Sequence, residues 1–304
     1  MFKITLSWVE TAVIMCLVLL FGWVAYQRNL IWKDDLSLWS DAAKKSPQKS
    51  RPYINLSSAL TGKGQYHESI TAAEKAIEIE PGYAEAHNNL GVAFAKLKLY
   101  REAVPSFNNA LTLDPDSYSA YYNLGAAYYN LCQYKDAERA FKQVIRLRPD
   151  YPEAYNELGA VYEKSGMRKE AVDAFKKALL INPGYAEAYY NLGVIYISVG
   201  LYREALDALN QALRLDPKLV MTQNYIGVAL LSIGRYNEAV EAFNKALSLN
   251  PDNASVYNNL GAAYISLGLY ENAVNALSEA VRLKPDYEEA LFNLKLAKTG
   301  LSKR

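Results

Sequence analysis

Asparagines recur through this sequence at a fixed interval, and the chemistry that such a row offers is hydrogen bonding. The intervals between them are multiples of 34 residues, and the row comprises Asn55, Asn89, Asn123, Asn191, Asn259 and Asn293. Glu157 and Tyr225 stand where the same interval predicts two further asparagines. An amide both donates and accepts, so a row of amides can pair with successive peptide units whatever side chains those units carry.

The residue types that most often perform catalysis or bind metals are sparse. The two histidines, His67 and His87, have no cysteine or carboxylate cluster at the spacing of a metal site. Residues 62–64 read Gly-Lys-Gly, but the longer spacing of a phosphate-binding loop is missing. Cys16 and Cys132 are too few for a disulfide framework. We therefore expect no enzyme activity, no cofactor and no metal.

The charge composition argues against nucleic acid as a class of partner. The chain carries 33 Lys and Arg against 32 Asp and Glu, a net charge of +1. A surface that binds nucleic acid needs an excess of basic residues to neutralise phosphates. We therefore predict that nucleic acid is not a partner.

A second feature with the same period is proline. Successive prolines lie 34 residues apart, at Pro47, Pro81, Pro115, Pro149, Pro183, Pro217, Pro251 and Pro285. If each repeat begins three residues after its proline, the eighth residue is usually glycine, the twentieth is usually alanine, and the eleventh and twenty-fourth are usually large. Small residues let two paired helices approach closely, and the large residues fill the space between repeats.

This pattern resembles the tetratricopeptide repeat (TPR), a helix-turn-helix unit of 34 residues. The resemblance implies an all-α, right-handed superhelical solenoid with seven repeats over residues 50–287. Residues 31–49 are expected to form a linker and a half-repeat helix, and residues 288–304 a capping helix. In that last helix Lys295 and Lys298 replace the glycine and the large residue, so we expect it to be solvated.

In TPR proteins the first helix of each repeat lines a concave groove, and the sixth residue of each repeat faces inward. The resemblance therefore implies a groove that binds an extended peptide or a partner protein. The predicted groove residues are the sixth-position row (Asn55, Asn89, Asn123, Glu157, Asn191, Tyr225, Asn259 and Asn293), with Tyr122, Tyr129 and Tyr190 beside it. The alternative, that these asparagines serve helix packing alone, stays open.

Residues 4–26 predict a transmembrane helix, which we assign to a domain of residues 1–30. Its one charge is Glu10, and 23 helical residues span about 34 Å, enough for a hydrocarbon core of about 30 Å. Trp8 lies near one end, and Trp23 and Tyr26 lie near the other, as in aromatic belts. A cleaved secretory signal is the competing interpretation, but bulky residues at the far end make a poor cleavage site.

The side of the membrane on which the repeats lie is uncertain from sequence. Arg28, Lys33, Lys44 and Lys45 follow the predicted helix, and Lys3 precedes it. Basic residues concentrate on the cytoplasmic side, so this small bias favours a cytoplasmic body.

Three interpretations of function follow. The first is a single-pass membrane scaffold that mediates protein–protein interaction through its groove. The second depends on the join, where residues 32–35 read Trp-Lys-Asp-Asp and residues 38–39 read Leu-Trp. This join resembles the membrane-helix/TPR junction of membrane-embedded O-mannosyltransferase-like TPR proteins, which implies the C-terminal TPR region of a membrane-embedded glycosyltransferase that recruits acceptor protein. The third is a homo-oligomeric assembly factor.

Overall fold

The computed structural model describes residues 8–303, without the side chains of residue 9 and of residues 27–31. Every regular element in this part of the chain is an α-helix, which confirms the all-α prediction there. The chain divides between Gln133 and Tyr134 into two compact units.

The first unit contains seven described helices: α1 (Trp8–Ile31), α2 (Asp35–Lys45), α3 (Ser50–Gly62), α4 (Tyr66–Ile79), α5 (Ala84–Lys96), α6 (Tyr100–Leu113) and α7 (Tyr118–Asn130). The second contains α8 (Tyr134–Leu147), α9 (Pro152–Lys164), α10 (Arg168–Ile181), α11 (Ala186–Ser198), α12 (Tyr202–Leu215), α13 (Thr222–Ser232), α14 (Tyr236–Leu249), α15 (Ala254–Ser266), α16 (Tyr270–Leu283) and α17 (Glu288–Ser302). Within the units, α3 packs on α4, α5 on α6, and likewise the pairs from α9/α10 to α15/α16.

The turn inside each repeat has the form of a Schellman motif. The N–H of Gln65 donates to the carbonyl of Leu60 at 2.9 Å, and Gly64 between them has a φ of 78°. Later turns repeat this arrangement. Lys98 and Cys132 occupy the glycine position in two of them, with φ of 62° and 59°. An L side chain in this region is strained, so the surrounding hydrogen bonds must hold it there.

The glycine at the eighth position of a repeat lets its two helices come into contact. A Cβ added to Gly193 would lie 2.5 Å from Cγ of Leu209, and one added to Gly227 would lie 2.5 Å from the ring of Phe243. Both Leu209 and Phe243 are fully buried, at 0% exposure. Each of these large side chains therefore fills the space that the missing side chain leaves, and the sequence period is the period of this contact.

The first complete repeat has a serine instead of a glycine at the eighth position, and this serine contacts the twentieth residue. Its eighth residue is Ser57 and its twentieth is Ser69, and both are fully buried. Their hydroxyl oxygens lie 2.9 Å apart, and the Ser69 hydroxyl also donates to the Ser57 carbonyl at 2.8 Å. The hydroxyls satisfy each other, so this close helix pair buries them without an unmet hydrogen bond.

Helix α1 differs from the helices of the repeats because all of its described side chains from Glu10 to Tyr26 are exposed. Within the described residues, none of the helices combines the length and the apolar character that crossing a membrane requires. The predicted transmembrane segment, residues 4–26, begins in residues that lie outside the described part, and it stays a prediction.

The glycine contact leads to a stability prediction. Changing Gly193→Ala should lower the free energy of unfolding by about 1–3 kcal/mol, because the new methyl group overpacks against Leu209. The matched control is Gly62→Ala in α3, where a Cβ would meet nothing within 4 Å. Urea denaturation of both variants, followed by circular dichroism, should show destabilisation in the first and none in the second. Equal stability of the two variants would contradict the contact.

Candidate peptide-binding site

Asparagines of the sixth-position row in the first unit are hydrogen-bonded to the first helix of the preceding repeat. The amide nitrogen of Asn123 donates to the side-chain oxygen of Asn88 at 3.1 Å. The amide nitrogen of Asn89 donates to the backbone carbonyl of Ile54 at 3.2 Å. In both cases donor and acceptor are 35 residues apart, so the sixth residue of one repeat contacts the fifth residue of the repeat before it.

The second unit contains three further amide pairs with this spacing. The donor–acceptor distances are 2.9 Å from Asn191 to Asn156, 3.1 Å from Asn259 to Asn224 and 2.9 Å from Asn293 to Asn258. The acceptors are buried, with exposures of 1%, 4% and 1% in the same order, whereas the donors are half-buried. Each donor amide thus lies between a buried partner and solvent.

A tyrosine pair replaces the amide pair at one step. The rings of Tyr190 and Tyr225 have centroids 5.7 Å apart and meet edge to face at 74°. Burial raises the pKa of Tyr190 well above its usual value, and Tyr225 adds to that effect. These residues again occupy the fifth and sixth positions. Tyr225 therefore interrupts the row of asparagines but keeps the contact between repeats.

Glu157 is the one carboxylate in the sixth-position row. Burial, and then the negative charge of Glu187, raise the pKa of Glu157 to about 7 from its usual 4.5, while a hydrogen bond from Asn156 acts in the opposite direction. The side-chain oxygen of Asn156, the residue before Glu157, accepts from Asn191 at 2.9 Å. Among the described residues, neither Glu157 nor Glu187 forms an ion pair with a lysine or arginine.

The remaining predicted groove residues, Asn55 in α3 and Tyr122 and Tyr129 in α7, are half-buried.

The sequence analysis did not identify the fifth-position residues that accept these hydrogen bonds, which are Asn88, Asn156, Asn224 and Asn258. The adjacent asparagines at 88–89 and 258–259 are a signal that could have indicated two of them. Whether the predicted residues bind a peptide stays a prediction. Each amide pair uses one of the donor's two N–H groups, so the side chain keeps further hydrogen-bonding capacity.

The two histidines, His67 and His87, lie in α4 and α5. The ring of His87 lies 3.0 Å from the backbone carbonyl of Pro81, a local contact that orients it. Across residues 8–303 no group of three or more His, Cys, Asp or Glu side chains could hold a metal ion.

Comparison with protein families and solved structures defines the class as a TPR protein. Models of the tetratricopeptide repeat match residues 84–117 and 58–98. The model described as the cilia and flagella-associated protein 70 C-terminal domain matches residues 117–303, more than half of the chain. The chain therefore belongs to this TPR family. No curated protein matches the chain.

Solved TPR structures share the fold. The APC/C hetero-tetramer Cut9-Hcn1 matches with a TM-score of 0.68 at 19% identity, over 86% of this chain and 52% of that chain. YrrB, described as a TPR protein with an unusual peptide-binding site, matches with a TM-score of 0.50 at 26% identity, over 60% of this chain and 95% of that chain. MamA matches with a TM-score of 0.50 at 31% identity, over 54% of this chain and 95% of that chain. This chain spans about half of the Cut9-Hcn1 chain that it matches.

The amide pairs lead to a second prediction. Changing Asn191→Ala should lower the free energy of unfolding by about 1–2 kcal/mol, because the buried oxygen of Asn156 loses its donor. The control is Asn210→Ala, on the exposed face of α12, which should leave stability unchanged. Thermal melting of both variants tests this, and equal melting temperatures would show that the pair contributes nothing.

Glu157 leads to a prediction about pH. Its pKa is raised in the folded state, so folding carries a penalty above about pH 7 that disappears as the pH falls below 4.5. We expect Glu157→Gln to stabilise the protein by about 1–2 kcal/mol at pH 8. Solvent screens the half-buried carboxylate, so the gain is smaller than the full pKa shift would give. The gain should vanish near pH 4.5. The exposed Glu241→Gln in α14 should show no such pH-dependent gain, and a gain for Glu157→Gln that is independent of pH would refute this explanation.

Proposed function

We propose that this chain is a membrane-anchored TPR scaffold that binds an extended peptide, or an extended segment of a partner protein, along the sixth-position row. TPR proteins bind protein or peptide partners, and the observation that carries the proposal here is the repeated, half-buried amide. The donors Asn123, Asn191 and Asn259 are each fixed by a bond to the preceding repeat. Each retains a second N–H group and a carbonyl oxygen that a peptide backbone could use.

Preorganisation favours this use of the row. An amide already held by a buried partner loses little conformational entropy when it binds a ligand. Backbone-directed hydrogen bonds tolerate different side chains in the ligand, whereas half-buried tyrosines such as Tyr190 and Tyr225 add aromatic surface. The peptide-binding site named for YrrB supports the same use of a TPR surface in a protein that is 26% identical.

The anchoring part of the proposal rests on α1. Large apolar side chains are exposed on all of its faces, including Val18, Leu19 and Phe21 at 65%, 71% and 67%. A helix that is apolar all round needs an apolar environment, because in water it would expose every one of these side chains. The charge bias after the segment favours a cytoplasmic position for the repeats.

Binding can be tested with the full chain in detergent micelles and a displayed library of random linear peptides. Selected peptides should lose at least tenfold in affinity for Asn191→Ala and for Asn259→Ala. The matched control is Ile195→Val, a buried change in α11 that costs about 0.5–1.5 kcal/mol of stability. If no peptide is selected, or if Ile195→Val weakens binding as much as Asn191→Ala does, the groove proposal fails.

Topology can be tested through Cys132, which is exposed in the turn between α7 and α8. In a Cys16→Ser background, a membrane-impermeant thiol reagent should label Cys132 only after cells are permeabilised. Resistance of the chain to alkaline carbonate extraction should accompany this result. Labelling in intact cells would instead favour the glycosyltransferase-associated interpretation, and complete extraction by carbonate would rule out the anchor.

A further inference from the structure

Each end of the repeat array carries half of a repeat. Helix α2 precedes the first complete pair, and its Asp35 and Trp39 lie 12 and 8 residues before Pro47. These distances are those of the twentieth and twenty-fourth residues, so α2 is a second helix without its first. Helix α17 follows the last complete pair, it corresponds to the first helix of a repeat, and no second helix of its own repeat pairs with it among the described residues.

The face of α17 that would receive a second helix is open. A groove on this face is lined by Leu291, Leu294, Lys295, Lys298, Thr299 and Ser302. By register, the first four of these occupy the fourth, seventh, eighth and eleventh positions, and in complete repeats such as those of Gly193 and Gly227 the eighth position faces the second helix of the same repeat. Leu291 is 44% exposed there, so the face keeps apolar surface that nothing among the described residues covers.

The corresponding face of α2 also lacks its helix. Helix α1 directly precedes α2, but the exposed side chains of α1 from Glu10 to Tyr26 show that this stretch packs on no other described helix. Trp39 of α2 is half-buried and Asp35 is exposed. A capping box at Asp34, whose side chain accepts from the Ser37 N–H at 2.9 Å, fixes where α2 begins.

The two half-repeats carry opposite charges at the eighth and twentieth positions, which contact each other in the first complete repeat. In the first complete repeat the eighth and twentieth residues touch, since the hydroxyl oxygens of Ser57 and Ser69 lie 2.9 Å apart. The same register would set Lys295 of α17 against Asp35 of α2. Among the described residues neither of these side chains forms an ion pair.

The contact between the eighth and twenty-fourth residues is also compatible with packing of α17 against α2. Gly193 and Gly227 contact a leucine and a phenylalanine there, whereas the half-repeats would bring Lys295 against Trp39. A lysine keeps the helices further apart than glycine does. Its aliphatic stem can pack on the indole while its ammonium group reaches Asp35, which is an arrangement that cation–π attraction also favours.

We propose that a second copy of this chain is the occupant, and that α17 of one copy packs against α2 of the next to complete a composite repeat. Such a contact joins two different surfaces, so it is head-to-tail and allows open assembly. Exposed ion pairs contribute little, so we expect a weak association that depends on concentration and salt. This interface uses surfaces other than the sixth-position row, so it can be correct if the peptide proposal is wrong.

Charge reversal tests the interface in the full chain in detergent micelles, by sedimentation velocity across a concentration series at low ionic strength. Lys295→Glu alone and Asp35→Lys alone should each raise the dissociation constant at least fivefold. An equimolar mixture of the two variants should associate as the unchanged protein does, because each end then meets an opposite charge. The chain that carries both changes should also associate. Lys177→Glu, on the exposed face of α10, is the control and should change nothing.

Two results would overturn the proposal. The first is a monomer at every concentration tested. The second is an association that Lys295→Glu and Asp35→Lys leave unchanged, which would place the contact elsewhere, as in pairing through α1. Melting curves of each variant confirm that the fold is intact before sedimentation is interpreted.

Discussion

The close contact between a glycine and a large side chain is the constraint on which most of the helix pairs depend. Gly193 and Gly227 bring the backbone of one helix against Leu209 and Phe243 of its partner, and these two side chains have no exposed surface. Because the contact fixes the separation of the paired helices, it also fixes which residues of the first helix remain at its surface. The sixth-position row therefore follows the same period as this packing.

The amide pairs join the first helices of neighbouring repeats. In a repeat array each unit contacts only its neighbours, so stability depends strongly on the interfaces between them. A bond from Asn191 to the buried Asn156 ties two neighbouring first helices together at 2.9 Å. The same side chain is half-buried, so packing and peptide binding are compatible roles for it. One amide can hold the array and offer its remaining N–H group to a ligand.

The sequence predicts a structural feature well when the residues that produce the feature recur with the 34-residue period. It predicts a feature poorly when the residues responsible occur at one place only. Glycine, alanine and proline repeat every 34 residues, so the helix pairs were predictable. The inward row was predictable from the TPR resemblance, but its acceptors were not, because Asn156 and Asn224 accept from residues 35 positions later rather than 34. Nor does composition reveal that Cys132 takes a positive φ that glycine usually takes.

Glu157 is the residue of the sixth-position row that packing between repeats explains least. The asparagines have a sufficient structural explanation, since each donor pairs with the preceding repeat. Glu157 does not, because its carboxyl group is half-buried and close enough to Glu187 to feel its negative charge, so its charged form destabilises the folded chain above about pH 7. Proteins depart from locally favourable choices chiefly at functional sites. This departure makes Glu157 the residue of the sixth-position row to test first for a role in binding.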